Sequence, residues 1–372
     1  MHWKKEAYFE CSECGKKYEI SGNIWKCRCG NPLNLMIGAE IDIRRLENRE
    51  RTIWRYFEVL PIEDPSSIIS FKEGFTPLLR AELFNREVLL KMEYLFPTGS
   101  FKDRGSSVMI SKLRELGVRE IVEDSSGNAG ASISAYSARA KIKCHIFVPE
   151  RAPETKITQI EFFGAEIHRI KGSRDEVAER AREFAENRYY ASHSWNPFFL
   201  HGTKTFAYEI VEQLNWKIPD AIIFPVGNGT LLLGAYIGFR ELREIGLIEE
   251  IPRLIGAQSS SCAPLFRAFR ENSKELPEVE MRESIADGIS VSKPVRWREI
   301  LRAIRETDGE VIAVEESEII EALKELGRNG FYVEPTSAVP LAALRRIEGR
   351  EDFLIPLTGS GLKLGDRMRG FL

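Results

Sequence analysis

The nine residues from Pro97 to Gly105 place one lysine, Lys102, between a turn and the start of a helix. The apolar run 88–90 predicts a strand before the turn, and apolar residues at helical spacing follow from 108 to 113. A lysine in this position lies close to helix amides and is partly desolvated. Both conditions favour the neutral amine, which is a nucleophile towards an aldehyde. Taken alone, the pattern also fits a solvated lysine in a loop.

Four of the six cysteines lie within the first thirty residues, as the pairs Cys11 and Cys14, and Cys27 and Cys29. Two close thiol pairs separated by about a dozen residues are typical of a tetrahedral zinc site. Four thiolates would leave no open position for a substrate, so the metal would be structural. The second pair is one residue tighter than the usual spacing. Two disulfides, or a ribbon without metal, are the alternatives.

A turn rich in hydroxyl and amide groups spans residues 123–130 and precedes a helix of small residues. Its polar members include Ser125, Ser126 and Asn128. Small polar groups at the start of a helix bind anions, and a carboxylate is the anion of suitable size here. The turn could also be no more than a cap for the helix that follows.

A second turn of this kind, residues 225–231, contains Gly227 and Gly229 and again joins a strand to a helix. Glycines allow backbone amides to approach a ligand closely, and the helix dipole favours a dianionic phosphate. A single glycine-containing turn is weak support for a phosphate site, so this prediction depends on the other motifs.

Strand-like apolar runs alternate with helical patterns through the rest of the chain. The runs lie at 121–122, 143–148, 166–170, 221–226, 253–257, 311–314 and 353–357. This alternation predicts an α/β protein with parallel sheets covered by helices.

The bulk properties are those of an ordinary globular protein. A length of 372 residues indicates about two to three domains. The net charge of −3 provides no field for a polyanion, which argues against nucleic acid as a partner. No apolar run approaches the ~20 residues of a membrane span. Residues 1–5 lack a signal-peptide core, so we expect a cytoplasmic protein without a membrane partner.

The Pro97–Gly105 segment resembles the lysine segment of the pyridoxal-phosphate enzymes of fold type II, the tryptophan-synthase-β-like family, and within it the threonine synthases. The resemblance recurs in order over most of residues 70–365, including 73–78, 126–128 and 357–363. It implies a pyridoxal 5'-phosphate cofactor and an α/β fold type II architecture. That architecture has two α/β domains that contain parallel sheets, with the active site between them, plus a small N-terminal ribbon.

The cysteine pattern and the resemblance together predict the domain boundaries. Residues 1–36 form the zinc-ribbon-like segment, with a possible structural zinc ion, and 37–75 form a linker and packing segment. Residues 76–205 form the first α/β domain, with the lysine, the substrate loop and a small mobile subdomain. Residues 206–372 form the second α/β domain, with the phosphate loop.

Roles for individual residues follow from the same resemblance. Lys102 would be catalytic and bind the cofactor, Asn128 would bind its ring hydroxyl, and Thr358 would face its ring nitrogen. The cofactor phosphate would be held by Gly227, Asn228, Gly229, Thr230 and Leu231. The substrate would be bound by Ser125, Ser126, Gly127, Ala129, His193, Ser194 and Lys204. Independently of the resemblance, the cysteine spacing predicts Cys11, Cys14, Cys27 and Cys29 as the metal ligands.

The implied activity is a lyase of threonine biosynthesis, which converts O-phosphohomoserine and water to threonine and phosphate, and the family is usually dimeric. One departure is Phe199, which stands where the family has the arginine that binds the substrate phosphate. His193, His201 and Lys204 could replace that arginine in part, and Phe198 and Phe199 could be core residues.

A second departure is the segment 285–291, which resembles that of serine/threonine dehydratases, although Asp287 could be a simple turn residue.

Three alternatives to a threonine synthase stay open. One is a serine/threonine dehydratase. Another is a β-replacement enzyme acting on O-phosphoserine, of the cysteine or cysteate synthase type. The third is a zinc-ribbon binding protein built on an inactive enzyme scaffold.

Overall fold

The computed structural model describes residues 7–22, 24–152, 154–349 and 351–371. Residues 1–6 and 372, which the predicted boundaries include, lie outside the described residues, and so does the N-terminal stretch used for the signal-peptide prediction. Contacts divide the described chain into two units. Unit 1 contains the residues up to Phe75 together with Lys102–Thr205, and unit 2 contains Thr76–Phe101 and the residues from Phe206 onward.

Unit 1 begins with a small antiparallel sheet in the order β2-β1-β3. Its strands are β1 (Tyr8–Cys11), β2 (Lys17–Tyr18) and β3 (Leu33–Met36). Alternate residues of β1 and β3 are buried, as expected for strands with one face on a core. Three 3-10 helices follow, at Ile43–Asn48, Ile53–Val59 and Pro65–Ser67.

The rest of unit 1 is a four-stranded parallel sheet in the order β8-β7-β6-β9. Its strands are β6 (Glu120–Glu123), β7 (Lys143–Pro149), β8 (Glu166–Ile170) and β9 (Tyr189–Tyr190). Its helices are α1 (Lys102–Glu115), α2 (Asn128–Ala140), α3 (Glu154–Phe162), α4 (Arg174–Phe184) and α5 (Pro197–Thr203). Parallel neighbours require crossover connections, and α2, α3 and α4 supply them.

Unit 2 contains a six-stranded sheet in the order β12-β11-β10-β13-β5-β4. Its strands are β4 (Leu78–Leu83), β5 (Arg86–Lys91), β10 (Ala221–Pro225), β11 (Arg253–Ser259), β12 (Val311–Val314) and β13 (Phe353–Pro356). Only the β4–β5 pair is antiparallel. Phe84 and Asn85 join this pair with φ of 50° and 58°, as a two-residue hairpin turn requires.

The helices that follow the first two strands of unit 2 cover its sheet. They are α6 (Thr205–Gln213, whose first residue belongs to unit 1), α7 (Thr230–Glu244), α8 (Pro264–Arg270), α9 (Trp297–Glu306), α10 (Glu316–Arg328) and α11 (Pro335–Leu344). Short 3-10 helices lie at Glu93–Leu95, Ala185–Asn187 (in unit 1), Asp287–Ile289 and Gly361–Phe371. No helix within the described ranges has the length and apolar character needed to cross a membrane.

The predicted α/β class is confirmed, because each predicted apolar run forms a strand and the two larger sheets are covered by helices. One predicted boundary differs from the structure. Residues 76–101 were assigned to the first α/β domain, but β5 pairs with β13, with Leu89 opposite Leu354, and this segment belongs to unit 2. An apolar run predicts a strand but does not identify its partner, and here the partner lies near the other end of the chain.

Candidate active site

Lys102 is the first residue of α1, which confirms its predicted position after a turn and at the start of a helix. The turn closes where the Gly99 amide donates to the Phe96 carbonyl over 2.8 Å, and Gly99 has φ 78°, a value that favours glycine. The Lys102 Nζ atom lies 5.8 Å from the centre of the Phe199 ring, within the range of a cation–π contact.

A buried network joins the first turns of α1 and α2. The Ser132 hydroxyl donates to the Asp103 carboxylate over 2.6 Å, and it lies 2.7 Å from the Ser106 hydroxyl. All three side chains are buried. Because Asn128 begins α2, this network sets the position of Asn128 relative to the start of α1 within unit 1.

The predicted carboxylate-binding turn packs tightly against α2. A Cβ atom at Gly130 would lie 1.9 Å from the Ser125 carbonyl oxygen, so only glycine permits this approach. Gly127 is the N-cap of α2, and Ser125 Oγ accepts a hydrogen bond from its amide over 3.3 Å. Ser125, Ser126, Gly127 and Ala129 therefore lie together at the N-terminus of α2, the arrangement that provides amides for an anion.

Glu123, the last residue of β6, forms a buried pair with His193. One carboxylate oxygen lies 2.8 Å from His193 Nδ1, and the other accepts the His193 backbone N–H over 3.0 Å. Burial raises the pKa of Glu123 well above its usual value, with the neighbouring Asp124 charge acting in the same direction. Burial and the Lys102 charge lower the pKa of His193 well below its usual value. Both shifts favour the neutral form of the group concerned.

Glu123 has no role among the predictions from sequence. The signal was present, because Glu123 and Asp124 are adjacent acids at the carboxyl end of a strand, directly before the turn. Next to this pair, Ser192 Oγ donates to Asp124 over 3.1 Å and lies 3.2 Å from Ser194 Oγ. Ser194 is thus placed beside the predicted carboxylate-binding turn.

Phe199, which occupies the position of the family arginine, is buried, and so are two of the residues considered as its replacements, His201 and Lys204. Phe199 is fully buried, and its ring is so close to Gly105 that a Cβ atom there would lie 2.5 Å from it. The core interpretation of Phe198 and Phe199 is therefore confirmed. His201 is buried, with Nε2 3.1 Å from the Leu35 carbonyl of the ribbon. Lys204, at the end of α5, is also fully buried.

In unit 2, the turn 225–231 joins β10 to α7. Gly229 is the N-cap of α7, with φ 67°, and a Cβ atom there would lie 2.4 Å from Ile300 Cδ1. A Cβ atom at Gly227 would lie 2.9 Å from Ile289 Cα. The two glycines bring the backbone amides of this turn to the N-terminus of a 15-residue helix, where a phosphate is stabilised.

Thr358 lies two residues after the end of β13 and is buried. Its hydroxyl lies 3.2 Å from the Ser337 hydroxyl of α11, and the Gly359 amide donates to the same Ser337 oxygen over 3.1 Å. A neutral hydroxyl held in one position suits a ring nitrogen that stays largely unprotonated.

The segment 285–291 lies against the glycine turn, through the close approach of Ile289 to Gly227. Asp287 is partly exposed and lies 3.5 Å from Arg367 Nη1. The sequence of this segment indicates only a similarity to serine/threonine dehydratases. Its contact with the turn is a tertiary feature that spacing along the chain does not reveal.

The four ribbon cysteines lie together, with their sulfur atoms all within 4.8 Å of one another. Cys11 Sγ is 3.5 Å from Cys29 Sγ, and Cys14 Sγ is 3.6 Å from Cys27 Sγ. A tetrahedral zinc ion with Zn–S bonds of about 2.3 Å separates its sulfur ligands by roughly 3.8 Å. Hydrogen bonds from Asn31 lower the pKa of Cys29 to about 6. The geometry therefore fits a tetrathiolate site, in spite of the tight second pair.

Residues 69–359 match the family described as pyridoxal-phosphate dependent enzyme. The fold agrees, because the solved structure of the processed form of threonine deaminase isoform 2 from Solanum lycopersicum superposes with a TM-score of 0.68. It is 20% identical, and the match covers 90% of this chain and 94% of that one. The chain belongs to the pyridoxal-phosphate-dependent enzyme family and has its fold type II architecture, and its cofactor is pyridoxal 5'-phosphate.

Within this family the chain is similar to threonine synthases. That of Methanocaldococcus jannaschii is 39% identical, over 95% of this chain and 92% of the relative. That of Methanosarcina acetivorans is 32% identical, over 94% of this chain and 90% of the relative. These matches extend beyond the family region into the N-terminal residues. The predicted family membership is thereby confirmed.

Proposed function

We propose that this enzyme is a threonine synthase that converts O-phosphohomoserine and water to threonine and phosphate. The observation that carries the proposal is the similarity to threonine synthases along nearly the whole chain. Further support comes from the helix N-termini at Asn128 and Thr230, the buried Thr358 hydroxyl and the position of Lys102 at the start of α1.

In this proposal Lys102 binds the aldehyde of the cofactor, and the amides of 227–231 hold its phosphate. Asn128 binds the ring hydroxyl, and Thr358 faces the ring nitrogen. The glycine turn suits the phosphate because its amides lie at the N-terminus of α7, and glycines allow its backbone to pack closely against Ile289 and Ile300. When bound, pyridoxal phosphate withdraws electrons from the substrate α carbon and so acidifies its proton.

Lys102 Nζ then serves as the base for the α proton and for a β proton of the substrate. Phosphate leaves from the γ carbon and water adds at the β carbon, so one water is consumed for each phosphate released. The amides and hydroxyls at the start of α2 hold the substrate carboxylate, which keeps the α carbon beside Lys102.

His193 would contact the substrate as a neutral hydrogen-bonding group, since its pKa is lowered and Glu123 holds Nδ1. The substrate phosphate would then be recognised without the bidentate guanidinium that other family members provide. Ser194 and Lys204 complete the proposed substrate set.

Product analysis of cofactor-loaded enzyme with O-phosphohomoserine tests the activity. Threonine and phosphate released in equal amounts would support it.

A serine/threonine dehydratase is the second candidate, because the dehydratase-like segment 285–291 packs on the glycine turn. Release of ammonia and a 2-oxo acid from serine or threonine, without phosphate release from O-phosphohomoserine, would establish that candidate. A third incubation with O-phosphoserine and a thiol tests β-replacement.

Three further features belong to this proposal. Zinc held by Cys11, Cys14, Cys27 and Cys29 would stabilise the ribbon. A homodimer, as the family resemblance implies, would appear in light scattering at twice the chain mass. A reducing compartment such as the cytoplasm suits the cysteines, which are all free thiols in the described residues.

A further inference from the structure

A second cluster of metal-ligating side chains lies on the parallel sheet of unit 1. His145 on β7 is in register with Glu166 on β8, and His168 follows two residues later on the same strand. Side chains two residues apart in a strand share one face of the sheet. His145, Glu166 and His168 therefore converge on one face, and their ligand atoms lie within 4.8 Å of one another.

The separations of these atoms match one face of a coordination polyhedron. His145 Nδ1 lies 2.9 Å from His168 Nε2 and 3.5 Å from a Glu166 oxygen, and His168 Nε2 lies 3.6 Å from the other Glu166 oxygen. Tetrahedral zinc with bonds of about 2.0–2.1 Å separates neighbouring ligand atoms by roughly 3.3 Å. A single ion can contact all three residues after shifts of a few tenths of an ångström.

The surroundings hold the ligands in orientation. Glu120 on β6 accepts a hydrogen bond from His145 Nε2 over 2.7 Å, which leaves the Nδ1 lone pair facing His168. In this tautomer His168 Nε2 donates to His145 Nδ1, so an ion that replaces this hydrogen bond binds His168 in its other tautomer. A carboxylate behind a ligating imidazole is the usual outer partner in metal sites. The Phe147 ring stacks on His168 at 4.5 Å, and Phe184 contacts both imidazoles.

The charges around the cluster are balanced before any ion binds. Lys143 pairs with Glu166 at 3.2 Å and Arg188 pairs with Glu120 at 3.1 Å. The Lys143 side chain is 59% exposed, so it can turn into solvent and release the Glu166 carboxylate.

We propose that His145, His168 and Glu166 form a binding site for a divalent transition-metal ion, with zinc as the preferred ion and Glu120 as a positioning residue. Two imidazoles and one carboxylate suit zinc better than calcium or magnesium. The remaining coordination position would be filled by water. The site would link β6, β7 and β8 and so stabilise the sheet.

The site is separate from the proposed catalytic residues of the same unit. Glu120 begins β6, whereas the carboxylate-binding turn follows Glu123 at the other end of that strand. The metal site therefore lies near the amino ends of the strands. A stabilising role follows, because ligands of parallel α/β sheets bind at the carboxyl ends.

Cobalt(II) titration of the metal-free full-length protein, with cofactor present, distinguishes this site from the ribbon. Thiolate ligands give cobalt an intense charge-transfer band, whereas imidazole and carboxylate ligands give only weak visible bands. We expect the chain to bind one equivalent of cobalt with thiolate bands and one equivalent with only weak visible bands. His168→Gln and Glu166→Gln should remove only the equivalent with weak bands, and Glu161→Gln, an exposed glutamate on α3, should leave both. Glu120→Gln should weaken cobalt binding at this site by about 10–100-fold.

The proposal is supported if the parent chain binds one equivalent of cobalt that shows no thiolate bands, and if both ligand variants lose this equivalent. Zinc should displace the same cobalt. The proposal is overturned if the stoichiometry and spectrum of His168→Gln and Glu166→Gln equal those of the parent chain, or if cobalt binds there only at millimolar concentration. Neither result depends on turnover, so the proposed threonine synthase activity is tested independently.

Discussion

Ionisable groups that are partly or fully buried decide the chemistry of single residues in unit 1. Lys102 faces the Phe199 ring, and Glu123 and His193 form a buried hydrogen-bonded pair near the start of α2. A buried charge is costly unless it is paired, so such an arrangement is seldom accidental. Two predictions belong to this scale.

Lys102→Ala should lower turnover by at least about 10²–10⁴-fold, since the variant lacks the base that moves the substrate protons. It should also lose covalent attachment of the cofactor. Borohydride treatment of the cofactor-loaded chain, followed by intact-mass measurement, should add the mass of the cofactor to the parent chain only. Lys217→Ala, at an exposed position, is the matched control. Cofactor mass retained in Lys102→Ala would refute the assignment.

Glu123→Gln should remove one component of the pH dependence of stability. Burial raises the pKa of this carboxyl in the folded chain above its ordinary value near 4.5. The folded chain therefore keeps a proton that the unfolded chain releases, and the parent protein loses stability as the pH rises above about 4.5, by up to about 1.4 kcal/mol per pH unit. The loss ends when the folded group ionises.

Urea-unfolding midpoints of the cofactor-free chains, measured between about pH 5 and pH 8, test this prediction. The parent midpoint should fall relative to that of Glu123→Gln as the pH rises. Glu161→Gln, in which an exposed carboxyl is changed, should follow the parent curve. Parallel curves for the parent and Glu123→Gln would show that Glu123 is ionised in the folded chain.

At the scale of secondary-structure elements, close backbone packing positions the candidate site. Helices α1 and α5 approach so closely that a Cβ atom at Gly202 would lie 2.2 Å from the Arg104 carbonyl oxygen. This contact holds Phe199 beside Gly105 and therefore beside the first turn of α1. Backbone atoms cannot move aside as the end of a side chain can.

Gly202→Ala should therefore force α5 away from α1 and lower the free energy of unfolding by about 1–3 kcal/mol. Gly327→Ala is the matched control, because Gly327 lies in α10 with nothing within 4 Å of its Cβ position. There, alanine should raise stability by up to about 1 kcal/mol. Denaturant titration of both variants measures the difference. Equal midpoints would contradict the close approach of the two helices.

At the scale of the whole molecule, the chain passes between the two units three times, and the ribbon shares the core of unit 1. Phe9 of β1 packs on Phe198 of α5, with ring centres 5.3 Å apart, and His201 contacts the Leu35 carbonyl. The ribbon is thus an integral part of unit 1, and its proposed zinc would stabilise α5 indirectly.

Cys14→Ser should reduce the zinc content by one ion per chain and lower the melting temperature. Cys14 is exposed, so the substitution removes a ligand with little effect on packing. A chelator strong enough to remove thiolate-bound zinc should lower the melting temperature of the parent chain to that of the variant. The same chelator should lower the melting temperature of the variant less. Metal analysis and thermal unfolding measure both effects. Equal zinc content in the two chains would exclude Cys14 as a ligand.

Much of the candidate site was predictable from local sequence. The turn before Lys102, the helix starts at Asn128 and Thr230, and the four cysteines are motifs whose geometry depends on residues close together in the chain. Local turn chemistry and helix capping act over a few residues, so sequence patterns report them well.

Partners from distant parts of the chain could not be predicted in this way. The pairing of β5 with β13, the contact of Ile289 with Gly227, and the buried pair of Glu123 and His193 each join segments that spacing does not relate. The sequence by itself determined the strands, the helix starts and the family. Only the tertiary structure decided which strands share a sheet and which polar groups are buried together, because these depend on packing between distant segments.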